Sequence, residues 1–295
     1  MDYGLKPLGR EKLWVWILLA PTLIGLIFGA FGSILATLAI SFMNWDLLRP
    51  PTWAGIGNYV ALFKNPAYFK SLANTIQFTL MYVPGVIVLS LLVAMLLNRK
   101  IRGLGLFRTV YFLPTVTSAV ATALVWNMIY GKDTGILNFL IELVGGQPVC
   151  WLCTKNALMS VTIVNVWGAI GEGMIIFLAG LTAIPREYYE AAEVDGANAW
   201  RQFFNITVPL ITPSIFFQTL ISTINAFQAY DYIYMLTRYG QGDSSVPVVV
   251  FSIYRNGFNF HKMGVASAQA IELAVLVGVF MAFYFWMERR YVVYE

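Results

Sequence analysis

The sequence predicts an all-α, polytopic membrane protein with about six transmembrane helices, and three observations carry that prediction. Hydrophobic residues make up 59% of the chain and charged residues only 12%, against about 25% charged in soluble domains. Apolar segments recur along the 295 residues, each long enough for the roughly 20 residues a span requires. Short charged stretches separate them, and the mean hydropathy is +0.69. One His and two Cys argue against a His/Cys metal centre or a redox relay.

Taken in order, the spans are expected near 13–43, 72–97, 106–130, 157–182, 206–229 and 265–287. The first is far longer than a signal-peptide core and lacks a convincing cleavage site, so it is expected to be retained. Gly25, Gly29 and Gly32 give it a strip of small residues suited to close packing, against a second subunit or against this chain's own helices. The second span has no charge between Lys70 and Arg99. The fourth holds Glu172 near its middle, between Gly171 and Gly173. An ionisable group at that depth is costly and faces a cavity or a partner, while the glycines admit a solute or a second backbone. A protonated Glu bonded to a neighbouring helix is the structural alternative.

The fifth span begins after Pro209 and Pro213, which spans tolerate because neighbours satisfy the freed carbonyls. It repeats Gln218, Ser222 and Asn225 at i, i+4 and i+7. Gln269 and Glu272 share a face near the start of the sixth. Such residues act as interhelical glue or as donors and acceptors for a hydroxyl-rich solute. With Glu172 they form the candidate solute pathway.

Six spans place both termini on one side. Eleven cations lie on that side, in short segments: Lys6, Arg10, Lys12, Arg99, Lys100, Arg102, Arg108, Arg186, Arg201, Arg289 and Arg290. The eight on the other side are spread over much longer loops. Cationic density marks the first group, and with it both termini, as cytoplasmic. Trp45, Trp53, Tyr59, Trp151, Tyr230, Tyr232 and Tyr234 then stand in outer loops close to span ends, where interfacial anchoring accounts for them. Cys150 and Cys153 also face outward, as a local disulfide, two thiols or a two-ligand metal site. His261 is a lone outer-loop histidine of surface type.

The segment at 185–206 is too charged for lipid and too short for a domain. Pro185 suits a first helical position, and Glu187, Glu190 and Glu193 complement the helix dipole. Asp195-Gly196 should end that helix, since Gly196 takes a positive φ cheaply. A second helix through Trp200, Phe203 and Phe204 then runs into the Pro209 segment. Two short helices with an elbow result, either lying on the headgroups or presented to a partner.

The residue order here resembles the cytoplasmic signature of permease subunits of binding-protein-dependent ABC importers. Glu190, Ala191, Ala192, Asp195, Gly196 and Ala197 match it, with Phe203, Ile206, Pro209 and Pro213. The resemblance covers nearly the whole chain. Gly57-Asn58-Tyr59 to Phe63, Asn74-Thr75, Phe107-Arg108 and Tyr111-Phe112-Leu113-Pro114 are similar to the carbohydrate-uptake branch, of maltose and glycerol-3-phosphate type. Phe177-Leu178-Ala179-Gly180-Leu181, Ile184-Pro185, Ala226-Phe227-Gln228, Asp231, Ile233-Tyr234 and Leu236-Thr237 fit it too. Cys150 and Cys153 depart from the pattern, as does Arg238-Tyr239-Gly240-Gln241-Gly242 where Gly-Gly-Pro is usual.

The resemblance implies a type I ABC importer transmembrane domain spanning 1–295, with coupling helices at 185–206. It implies a bacterial or archaeal cytoplasmic membrane location and an import cycle for a sugar or sugar-like solute. The implied partners are a second homologous permease in a heterodimer, two cytoplasmic ATPases, an extracytoplasmic solute-binding protein and the lipid bilayer, with no nucleic acid. No cofactor is expected on this chain, ATP and Mg sitting on the ATPases. The residues agree, because no G-x-x-x-x-G-K-[ST] loop is present, nor any catalytic cluster. An ion-gradient-driven secondary transporter is the rival, although inverted repeats are not evident. Glycerol-3-phosphate or another polyol is an alternative cargo. A phosphate wants a concentrated cationic site, yet no Lys or Arg lies inside the six cores, Arg108 being counted to its loop.

Overall fold

The computed structural model describes residues 9–99, 103–153, 156–239 and 246–291. Lys6, Lys100, Arg102, Lys155 and Gly240-Gln241-Gly242 lie outside them, as do the side chains of Arg10, Lys12, Arg238, Tyr239, Arg289 and Arg290. Four helices are long and apolar enough to cross a membrane: Leu13–Ser41, Pro66–Leu97, Ala157–Ala183 and Met263–Glu288. Two bent pairs, Leu104–Val116 with Ala119–Ile129 and Ala199–Leu210 with Thr212–Phe227, make six when each counts as one span. Packing divides the chain into two units, residues 1–65 with 253–272 and residues 66–252 with 273–295.

The first unit opens with α1 (Gly9–Ile24), a π-helical stretch (Gly25–Phe31) and α2 (Gly32–Ser41). A methyl group added at Gly25 or Gly29 would meet no other atom within 4 Å. Among the described residues, no helix of the first unit packs on Gly25 or Gly29. A minimal hairpin, β1 (Met43–Asn44) with β2 (Thr52–Trp53), and α3 (Gly57–Phe63) follow. Buried Asn58 ties them together by donating to the carbonyls of Ser41 and Met43, each at 2.9 Å. Tyr59 shares a 2.7 Å hydrogen bond with Ser41, and Phe42 stacks on Trp53. These aromatics brace the loop.

The second unit is organised by α4 (Pro66–Leu97) and α8 (Ala157–Ala183), which pack along one another. Around them lie α5 (Leu104–Val116), α6 (Ala119–Ile129), α7 (Ile136–Leu143), α9 (Arg186–Val194) and α10 (Ala199–Gln202). A π-helical turn (Phe203–Thr207) leads to α11 (Val208–Leu210) and α12 (Thr212–Phe227), then α13 (Asp231–Tyr239) and α14 (Val249–Tyr254). The last helix, α15 (Met263–Tyr291), contributes to both units. Asn74 donates to the Pro247 carbonyl and Thr75 accepts from the Val249 amide, both at 3.0 Å. The Asn74-Thr75 pair thus pins the segment leading into α14.

Close helix approach requires small residues, because lipid provides no hydrophobic drive between spans. On α8 the glycines supply it. A methyl group at Gly171 would lie 2.6 Å from the Tyr111 carbonyl oxygen of α5, and one at Gly173 would lie 2.5 Å from Ser90 Oγ of α4. At Gly168 the neighbour is Tyr232 of α13, and at Gly180 it is Ser214 of α12.

The third span is not the continuous helix expected over 106–130. It bends by 99° between α5 and α6, where Thr117 and Ser118 take extended backbone angles. Pro114 has already removed one amide donor from the preceding turn. The hydroxyl of Thr117 donates to the Leu113 carbonyl at 2.8 Å, and that of Thr115 to Gly168 at 3.0 Å. The fifth span bends by 66° and starts earlier than expected, at Ala199.

Replacing Gly171 by Val drives a side chain into the α5 backbone. An overpacked core loses about 1–3 kcal/mol, so Gly171→Val should lower the unfolding midpoint in a denaturant titration of the purified protein. An equivalent change at open Gly29 should leave it unmoved.

Candidate coupling site and solute path

The segment between α8 and the fifth span is built as two helices with an elbow. Pro185 sits one position earlier than expected, as the cap of α9. Glu187 occupies the first turn, where the helix dipole favours it. The C-terminus is a Schellman closure: the Gly196 amide donates to Glu193 at 3.0 Å and the Ala197 amide to Ala192 at 2.8 Å. Gly196 adopts φ +74°, a left-handed conformation that costs other residues roughly 1–2 kcal/mol. Asn198 then caps α10, its Oδ1 accepting the Arg201 amide at 2.9 Å. Sequence reasoning passed over that cap, although an Asn two residues after the helix-ending Gly is a fair signal for it.

Glu190, Ala191, Asp195 and Gly196 are exposed on this elbow, and Ala192 and Ala197 are half-buried. The expected coupling residues are thus brought together on one surface. Exposed Val194 and Trp200 extend it, Trp200 stacking on Phe204. Beneath the elbow a brace joins the two arms: the hydroxyls of Tyr189 on α9 and Thr207 share a 2.9 Å hydrogen bond. Tyr189 also packs on the core formed by Leu181, Ile184 and Ile211. No local pattern announces a bond across this separation.

The candidate solute residues separate into groups. Gln218 and Ser222 are buried and bonded to each other, Nε2 donating to Oγ at 2.9 Å. A methyl group at Gly173 would lie 3.2 Å from the Gln218 amide carbon, so this pair sits where α12 meets α8, with Gln218 Oε1 unpartnered among the described residues. Asn225, the third member of the stripe, is exposed. Glu172 is half-buried and makes no hydrogen bond or ion pair among the described residues. Gln269 and Glu272 belong to the first unit. There Gln269 is buried and accepts from Asn256 at 2.8 Å, while Glu272 is half-buried with Oε2 unpartnered.

Cys150 and Cys153 form a disulfide, which removes the thiol and metal alternatives. The first unit also holds a cavity of about 740 Å³, whose lining includes Trp45, Asp46, Arg49, Asn58, His261 and Lys262. Asp46 accepts the amides of Arg49 at 2.8 Å and Leu48 at 3.0 Å. These bonds, that of Arg49 first, hold its carboxyl below the ordinary value. His261 is exposed.

Four long apolar helices and two bent pairs, with an exposed polar elbow braced to the core of the second unit, define a polytopic membrane protein. The chain belongs to the family of binding-protein-dependent transport system inner membrane components, which matches residues 54–293. It is 34% identical to the probable ABC transporter permease protein YesP of Bacillus subtilis (strain 168), across 98% of this chain and 95% of that one. The lactose transport system permease protein LacF of Rhizobium radiobacter is 34% identical, across 93% of this chain and 94% of that one. The crystal structure of a bacterial alginate ABC transporter with an alginate pentasaccharide-bound periplasmic protein contains a chain of the same fold. It superposes with a TM-score of 0.83 at 23% identity, covering 95% of this chain and 96% of that one. The protein is a permease of a binding-protein-dependent importer, with the type I ABC importer fold, and the ion-gradient alternative falls away.

If the Tyr189–Thr207 bond braces the elbow, Tyr189→Phe and Thr207→Val should be non-additive. A double-mutant cycle on unfolding should return a coupling of about 0.5–1.5 kcal/mol, and additive effects would remove the brace.

Proposed function

We propose that this permease imports a carbohydrate, using its elbow at Glu190–Ala197 as the docking surface for an ATP-hydrolysing subunit. The observation that carries the docking role is the combination of an exposed elbow and the Tyr189–Thr207 brace beneath it. A force on the elbow passes through this brace into α8 and the fifth span. Closure of two ATPases, which hold ATP and Mg, would move the elbow and rock the spans between inward- and outward-facing states. The chain itself binds no cofactor in this reading.

Exposed Arg99, Arg108, Arg186 and Arg201 support a cytoplasmic elbow with both termini on the same side. The cavity bordered by Trp45, Asp46 and Lys262 then faces outward, where a solute-binding protein delivers its cargo. A second, homologous permease completes a heterodimer, and the open strip at Gly25 and Gly29 is available for it. Carbohydrate as the cargo is supported by the lactose system to which the LacF relative belongs. It is also supported by the lack of Lys and Arg in the middles of the spans, Lys70, Arg108 and Arg201 each standing in the opening turns of its helix, which disfavours glycerol-3-phosphate. Glu172 is the residue assigned to the solute path, because it is half-buried and without a hydrogen bond among the described residues. Gln218 and Ser222 are assigned to packing.

Proline at position 196 fixes φ near −65°, incompatible with +74°, and removes the amide that closes α9. Gly196→Pro should abolish solute-stimulated ATP hydrolysis in the reconstituted importer. Wild-type stimulation would count against docking at the elbow. Separately, Glu172→Ala should reduce uptake with ATPase docking intact, and unchanged uptake would take Glu172 out of the path.

A further inference from the structure

We infer that α7 lies in the plane of the membrane at the boundary of headgroups and acyl chains, its outer face covered by lipid. This helix was not foreseen in the sequence, where residues 131–156 read as a loop. Ile136, Phe139, Leu140 and Leu143 of α7, with Val144 just beyond, are all exposed, Phe139 at 64% and Leu143 at 72%. At the α-helical advance per residue these five fall within an arc of about 140°. The opposite face is built inward: Asn138 is buried, and Leu137 packs on the core of Tyr130, Leu152 and Val161. Glu142 stands exposed on the flank.

Three features select lipid over a protein as the occupant. The stripe offers no hydrogen-bonding side chain, whereas a protein interface carries about one hydrogen bond per 100–200 Å². The preceding helix α6, part of the third span, likewise exposes apolar side chains, at Leu124, Val125 and Met128. Finally, its depth is fixed. The Gly135 amide donates to the Gly131 carbonyl at 3.0 Å, so α7 begins within a tight turn of the end of α6.

Asn138 locks that arrangement. Its amide nitrogen donates to Lys132 and Val149 carbonyls, each at 2.8 Å, and its oxygen accepts from the Val149 amide and Trp151 Nε1, each at 3.0 Å. Trp151, held within the Cys150–Cys153 loop, stacks on Tyr130, which in turn contacts Trp126. Such aromatic groups sit at headgroup level, with exposed Lys132 and Asp133 beside them. An amphipathic helix clamped at this level buries its apolar face about 5–10 Å into the interface. On the orientation proposed above, the leaflet is the outer one.

The chain has no free cysteine, so single introduced thiols can carry a nitroxide label. In the assembled importer, in nanodiscs and with partner-subunit cysteines replaced, labels at Phe139→Cys and Leu143→Cys should collide several-fold more with oxygen than with a water-soluble nickel chelate. Glu142→Cys should show the reverse preference. Equal chelate access at all three positions would overturn the inference in favour of solvent. Immobilised labels shielded from both reagents would overturn it in favour of a protein partner. Leu140→Cys and Val144→Cys repeat the reading on the same stripe if either first variant fails to assemble. No transport or ATPase measurement enters, so this result stands or falls apart from the importer reading.

Discussion

The constraint on which the rest depends is that a backbone crossing lipid must satisfy its own hydrogen bonds. A helix without proline meets it at once, as in α8. The bends meet it with side chains. Pro213 leaves the Pro209 carbonyl without its usual amide donor, and the hydroxyl of Thr212 supplies one at 2.6 Å. Thr207 donates likewise to the Gln202 carbonyl at 3.4 Å as the chain passes through its π-helical turn. At the sharper bend Thr117 performs the same service, while Thr115 reaches across to the Gly168 carbonyl of α8. Hydroxyl-bearing residues at these points are what allow a span to turn without exposing unpaired carbonyls.

A second consequence concerns how spans come together once their backbones are satisfied. Lipid is as apolar as Leu, so contact must come from close fit. Four glycines turn α8 into a common axle, each admitting a different neighbour: Gly168 for α13, Gly171 for α5, Gly173 for α4 and Gly180 for α12. The elbow follows α8 directly in sequence and is tied to the fifth span by Tyr189 and Thr207. Displacement of the elbow therefore reaches the helix that most of this unit packs upon. That arrangement also explains why Gln218 and Ser222, polar residues on a plausible path, belong to packing. They sit where α12 meets the notch at Gly173.

Much of this was legible in the sequence because its causes are local. Span positions follow from runs without charge, and the elbow follows from Asp195-Gly196, where a left-handed residue is required. Partner-dependent features were not legible. Thr117-Ser118 looks helical in a window of neighbours, and only its extended backbone angles show a bend. Asn138 reads as one polar residue in an apolar run, yet its oxygen and nitrogen organise residues up to Trp151. The Gln218, Ser222 and Asn225 stripe is regular in spacing, but burial divides it, with Asn225 exposed. Helical period identifies a face without saying what that face meets.

The same limit explains how two short helices between spans can be built alike and serve different surroundings. Both α7 and α9 are amphipathic, both follow a span closely, and both are fixed by hydrogen bonds on their inner side. Their outer faces differ in chemistry. On α9 the exposed set mixes Glu187, Glu190 and Glu193 with Val194, a combination that would waste its charges against acyl chains and suits a groove with complementary polar groups. On α7 the exposed stripe is apolar, with Glu142 only on its flank, which would leave a protein partner's polar groups unpaired and suits acyl chains. Burial requires each polar group to find a partner. By that rule the outer face of each helix, rather than its amphipathic spacing, specifies the medium it meets.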